Sequence, residues 1–128
     1  MPLLISYQGP DDFKVLNVTA FVGDKLNIGS AGAPLTVTSN AISITRSFHS
    51  LVASGTTAQR QLRTINGGLE GDILVLRLDA TSPQPTIIDD NNGNIQSAGD
   101  FTLSNPKDLI AFLYDGTDWC ELCRSNNA

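Results

Sequence analysis

The sequence predicts an all-β domain, a small β-sandwich or barrel-like fold with an extended N-terminal arm. Three observations predict it. Short apolar runs recur at a spacing of about 8–12 residues, and clusters of Gly, Asn, Asp, Ser and Pro separate them. Hydrophobic residues make up 41% of the 128-residue chain and charged residues only 16%, so neutral polar side chains carry much of the surface. Two runs, Ile73–Leu78 and Lys107–Tyr114, are apolar on both sides of a strand's alternation. A chain of this length is one domain and can bury about two thirds of its unfolded surface.

The elements follow in order. Gln8-Gly9-Pro10-Asp11-Asp12 is a turn cluster, and Phe13–Thr19 reads as a strand with Phe13 and Val15 on one face. Ala20-Phe21-Val22 continues it, and Gly23-Asp24-Lys25 turns. Gly29–Pro34 is small and flexible in composition, suited to a linker or arm. Residues 1–40 are therefore read as N-terminal strands and arm, and residues 41–128 as the β domain.

Leu35–Thr38 is a strand, and Ala41–Phe48 alternates most regularly, with Ile42, Ile44 and Phe48 inward and Ser43, Thr45, Ser47 and His49 outward. Ala58–Arg63 has the pattern of a single helical turn. Thr64–Gly71 is a glycine-rich bend that aims Ile73–Leu78 into a position expected to be covered on both faces. Thr86–Asp89 and Asn94–Gln96 flank Asp90-Asn91-Asn92-Gly93, and Asn-Gly between such runs predicts a hairpin. Lys107–Tyr114 and Thr117–Leu122 form a second hairpin about Asp115-Gly116.

The motifs argue against chemistry. His49 is the single histidine and falls on the polar side of its run; in a trimer, three copies on an axis would be the one arrangement able to hold a metal. No G-x-S-x-G elbow accompanies it. Cys120 and Cys123 are spaced C-x-x-C within a strand, where three residues span about 10 Å, too far for a disulfide. No second pair completes a zinc site. Aligning Gly93 with the glycine of a calcium loop puts Ile88 and Gly99 where acids are required. Gly67-Gly68-x-x-Gly71 precedes a strand, not the helix that a dinucleotide site needs. No carboxylate pair stands out for glycoside hydrolysis. Tyr114 and Trp119 read as core or interface, with a sugar-stacking platform as the other reading. No catalytic residue, cofactor or metal is expected.

The net charge of −5 disfavours nucleic acid and anionic membrane as partners. Residues 1–64 carry five basic and three acidic side chains, and residues 65–128 three and ten, so the halves stand at +2 and −7. Met1–Ile5 has neither the basic start nor the length of a secretory signal, so synthesis in a cytoplasm is expected.

Residues 41–122 resemble a β module of tailed-bacteriophage virion proteins, among them decoration proteins, head fibres and tail appendages. The resemblance is carried by Ile42-Ser43-Ile44, Phe48-His49-Ser50-Leu51-Val52 and Leu62 through Leu76. It continues in Thr86-Ile87-Ile88, Gly93-Asn94-Ile95, Phe101-Thr102-Leu103 and Leu113 through Trp119. It implies a non-enzymatic virion component, often a homotrimer, with no catalytic residues to transfer. Cys120 and Cys123 lie outside that pattern, as do residues 1–40. The expectation is a capsid decoration or cement trimer on the capsid exterior, bound to the major capsid protein. The alternative is a receptor- or carbohydrate-binding module of a tail fibre or baseplate. Two strands apolar on both faces also favour a homotrimer, with Leu74, Leu76, Leu78, Ile110, Phe112 and Tyr114 at the subunit interface. Phe13, Val15, Phe21 and Lys25 are assigned to the capsid-binding arm, with the acidic second half facing outward.

Overall fold

The computed structural model describes residues 25–127. The expected strand Phe13–Thr19 and its continuation lie outside the described residues. The described chain is all-β. The first half comprises β1 (Leu35–Thr36), β2 (Ala41–Ser43), β3 (Phe48–Val52), a 3₁₀ turn (Thr57–Gln59), β4 (Gln61–Leu62), β5 (Thr64–Asn66) and β6 (Ile73–Leu78). The second half comprises β7 (Thr86–Ile88), β8 (Ile95–Gln96), β9 (Phe101–Leu103), β10 (Leu109–Tyr114) and β11 (Trp119–Ser125).

A six-stranded sheet runs in the order β1-β3-β6-β10-β11-β8, and two small sheets, β2-β5 and β4-β7-β9, complete the fold. Parallel pairing dominates its early part: β1 with β3, β3 with β6, β2 with β5 and β4 with β7. Parallel neighbours need a crossover. Here the chain between β3 and β6 supplies it by passing through β4 and β5. The unit β2–bend–β3 therefore stacks on β5–bend–β6, with Ala41 opposite Thr64 and Phe48 opposite Val75. The sheet includes Leu35–Thr36, and Val37 is fully buried.

The hairpin about Asp115-Gly116 forms as expected, with Tyr114 opposite Trp119. Asp115 Oδ1 accepts the N–H groups of Thr117 and Asp118 at 2.8 and 2.7 Å, which fixes the loop. The hairpin expected at Asn92-Gly93 does not form. β7 pairs with β9 and β4, and β8 pairs with β11. Side chains replace strand pairing there. Asp89 binds Arg63 Nε at 2.6 Å and accepts from Asn92 at 2.7 Å. Asn94 Oδ1 accepts the Ile65 N–H at 2.8 Å, and its Nδ2 donates to Ile65 O at 2.8 Å. One amide thus does for β5 what a neighbouring strand would do. Gly93 permits it: a Cβ there would fall 2.1 Å from Arg63 O.

The core corrects the expected use of the two long strands. Leu74, Leu76, Leu78, Ile110 and Phe112, assigned from sequence to a subunit interface, are 0–5% exposed inside a single chain. They pack with Leu51, Leu62, Ile65, Ile88, Ile95, Leu103 and Trp119, which are equally buried. Each contributes about 1.5–3 kcal/mol by leaving water. Tyr114 is half-buried, its ring centroid 4.8 Å from that of Trp119. The described residues do not cover both faces. The other sides of β6 and β10 carry Ile73 at 40%, Leu109 at 37% and Leu113 at 36% exposure.

His49 is a second correction. It lies on the core side of β3, opposite Leu76, and is 2% exposed. The alternation of β2 does not carry through to β3, because Thr45, Arg46 and Ser47 form a bend between them. The bend resets the phase, so Phe48 faces outward and His49 inward.

Candidate interaction surface

The outward face of the six-stranded sheet is the most distinctive surface of the molecule. Register builds it in rows. Phe48 lies opposite Val75, Val75 opposite Ala111 and Ala111 opposite Cys123. Ile73 lies opposite Leu113, and Leu113 opposite Cys120. Ser50, Arg77, Leu109 and Ser125 form the third row. A bulge between Ala111 and Phe112 leaves Leu122 unpaired and 55% exposed. It also keeps Cys123 outward while Glu121 pairs with Arg124 at 2.7 Å beside Phe101.

Residues 25–29 lie along this face. A groove of about 430 Å³ is lined by Lys25, Leu26, Ile28, Phe48, Val75 and Leu109. A second groove, about 220 Å³, adjoins it, lined by Val75, Leu109, Ala111 and Cys123. The Arg77 guanidinium carbon sits 5.5 Å from the Phe48 ring centroid, a cation–π contact at the rim.

Charge is distributed by end. Beyond Ile73 and Leu113 stand Asp72, Glu70, Asp115 and Asp118, with Arg46 beside Asp72 as a cation among these described residues. Glu70 packs over the Gly116 turn, which keeps that cluster together. At the opposite end are Arg77 and Lys107. Asp79 stands near them as a carboxylate held ionised by Thr81 and Ser50, and it interacts with the Arg77 charge.

The sequence-assigned interface residues other than Tyr114 are core, so they are not brought to this surface. Of the assigned arm, Phe13, Val15 and Phe21 lie outside the described residues, and Lys25 stands at the groove. Ile73, Val75, Leu109, Ala111 and Leu113 were not singled out as surface. A signal for them was present: Arg77 shares the phase of Ile73 and Val75, and Lys107 that of Leu109 and Ala111. A charge in phase marks the wet side of a strand.

The groups examined for chemistry have structural partners. His49 Nε2 accepts the N–H groups of Thr45 and Arg46 at 3.1 and 3.2 Å, and burial followed by the Arg46 charge lowers its pKa. Cys120 donates weakly to Asp115 at 3.7 Å; burial, then the Asp115 and Asp118 charges, push its pKa up, away from a reactive thiolate. Asp89 is pushed up by burial, but Asn92 and Arg63 outweigh this and hold it below the usual carboxylate range. Among the described residues no three His, Cys, Asp or Glu side chains cluster as metal ligands. Trp119 is fully buried, so with Tyr114 it offers no flat platform for a sugar.

Comparison with known proteins finds no family model, no curated protein and no solved structure that matches the chain.

Proposed function

We propose that this chain is a non-enzymatic structural protein of a tailed-phage particle, a β-rich homotrimer that decorates and stabilises the assembled capsid from outside. The observation that carries the subunit contact is the apolar outward sheet face, with Ile73, Leu109 and Leu113 each more than a third exposed. A second copy of the chain is its occupant, argued from charge. The acidic end of the face is opposite in sign to the Arg77 and Lys107 side chains at its other end. A closed head-to-tail ring sets one end of each subunit against the opposite end of the next. The phage assignment rests on the resemblance of residues 41–122, and residues 1–40 supply the contact to the shell.

Light scattering on the purified chain tests the assembly: the expected mass is three times the 13.6 kDa chain. A single-chain mass at high micromolar concentration overturns it. Gradient co-sedimentation with undecorated tailed-phage capsids tests the location. Binding that saturates on the shell supports the proposal, and a protein left at the top of the gradient defeats it.

A further inference from the structure

We infer that His49 is a proton-operated latch that holds the bend Thr45–Ser47, and through Arg46 the segment 25–34, against the sheet.

Three observations make the latch. His49 is 2% exposed on the core side of β3, and its Nε2 accepts two backbone N–H groups, from Thr45 at 3.1 Å and Arg46 at 3.2 Å. An imidazole nitrogen accepts only when it carries no proton, so this arrangement requires neutral His49 with its hydrogen on Nδ1. That Nδ1 is itself buried without a hydrogen-bond partner, so nothing in the core stabilises a second proton on the ring. The third observation links the bend to the N-terminal segment. The Arg46 Nη1 donates to Ser30 O at 3.2 Å and contacts Ser30 Oγ at 3.3 Å. The same guanidinium lies against Gly32: a Cβ there would be 2.6 Å from Nη1. With φ at +66°, Gly32 both adopts a left-handed turn and leaves room for the arginine.

Protonation reverses the contact. A proton added at Nε2 turns the acceptor into a donor and sets it against the two N–H groups of Thr45 and Arg46. The charges around the ring do not compensate. Arg46 from the adjoining bend is itself positive, and β6 presents the apolar Leu76. Asp72 lines a groove with Arg46, but the charge that acts on the ring is that of Arg46. The ring is therefore relieved by moving the bend away, and Arg46 leaves Ser30 and Gly32 with it. Residues 25–29, which line the large groove, are then released from the sheet face. Because burial, and then the Arg46 charge, hold the folded pKa below that of an ordinary histidine, the latch is closed at neutral pH and opens only as pH falls below the range in which a free histidine titrates.

Amide hydrogen exchange of the full-length chain, corrected for intrinsic rate, tests this between about pH 7.5 and pH 5. Protection of Thr45 and Arg46, whose N–H groups His49 accepts, should fall about tenfold or more across that range while β10 and β11 keep theirs, and the amide resonances of Ser30 and Gly32 should move with the same midpoint. In His49→Gln, whose side-chain oxygen accepts without titrating, protection should hold throughout. In Arg46→Ala, Thr45 should still lose protection on acidification, while the Ser30 and Gly32 resonances should no longer move with pH. Equal protection of wild type at both ends of the range, or the same loss in His49→Gln, overturns the latch. Should His49→Gln fail to fold, the ring titration of wild type by NMR replaces it. A His49 midpoint that does not coincide with the change at Arg46 overturns it too.

Discussion

Trp119 fills the space that a side chain at Gly68 would occupy. A Cβ on Gly68 would sit 2.6 Å from Trp119 Cζ2 and 3.0 Å from Tyr114 Cδ2, closer than packed atoms approach. The bend before β6 is thus locked to the hairpin of β10 and β11. Trp119 Nε1 adds a hydrogen bond to Ile65 O at 3.2 Å, so the indole also reaches across to β5.

Gly68→Ala should therefore destabilise the fold by about 1–3 kcal/mol, the cost of overpacking a filled core. Urea denaturation followed by the fluorescence of Trp119, the single tryptophan, measures it. Gly71→Ala controls for backbone effects: it has a positive φ of 94° but nothing within 4 Å of its Cβ position. It should lose the smaller amount that a left-handed residue costs, about 1 kcal/mol.

Asn94 should be among the least replaceable polar residues. Its amide both accepts from and donates to the backbone of Ile65, which is 1% exposed. Asn94→Ala leaves the N–H of Ile65 without its partner and should cost about 1–3 kcal/mol or more. Asn94→Asp keeps the acceptor but sets a carboxylate oxygen against Ile65 O, and should be at least as damaging. Thermal unfolding by circular dichroism ranks the two; an Asp variant as stable as wild type would contradict the bidentate role.

Acid should weaken the fold in a second, lower window, set by Asp108. Burial alone would push this carboxyl up, but the N–H groups of Asn127, Ser104 and Asn105 and the Ser104 hydroxyl outweigh it, and its pKa is lowered. A depressed carboxylate contributes stability that is fully present above its unfolded value, near 3.8, and is lost as pH falls through the folded one. Wild type should thus lose stability steadily below about pH 4, and Asp108→Asn should start lower and show a flatter acid limb. Urea midpoints taken across that range decide it.

The two sides of β6 should respond oppositely to substitution. Leu76→Ala, in the core, should cost about 2–5 kcal/mol of stability. Ile73→Lys and Leu113→Lys, on the outward face, should leave the unfolding midpoint nearly unchanged while reducing the light-scattering mass to that of one chain. A mass unchanged by both lysines would move the subunit contact elsewhere.

Much of the fold could be read from local chemistry. The all-β class, the shared face of Leu74, Leu76 and Leu78, and the Asp115-Gly116 hairpin follow from alternation and turn preference, which act over a few residues; that this face is core and not the subunit interface expected of it does not. Of the helical turn expected over Ala58–Arg63 only the start is helical, in the 3₁₀ turn Thr57–Gln59, and Gln61–Leu62 is strand β4. Alternation in β6 and β10 gives two apolar sides, and Arg77 and Lys107, in phase with the outward residues, mark the side that the described residues leave open.

What the sequence by itself determined was therefore where strands lie and which side of each is apolar. Tertiary structure alone decided which strands become neighbours. Parallel partners such as Phe48 and Val75 meet only after the chain has passed through a second layer, and no local spacing encodes that meeting. The same holds for the failed hairpin. Asn92-Gly93 favours a tight turn, but Asp89 and Asn94 gain more from Arg63 and Ile65, whose positions exist only once β4 and β5 are in place. His49 is the sharpest instance. Its residue type and its place in an alternating run suggest a surface side chain. Three bent residues before it turn it inward, onto the backbone of the bend that turned it.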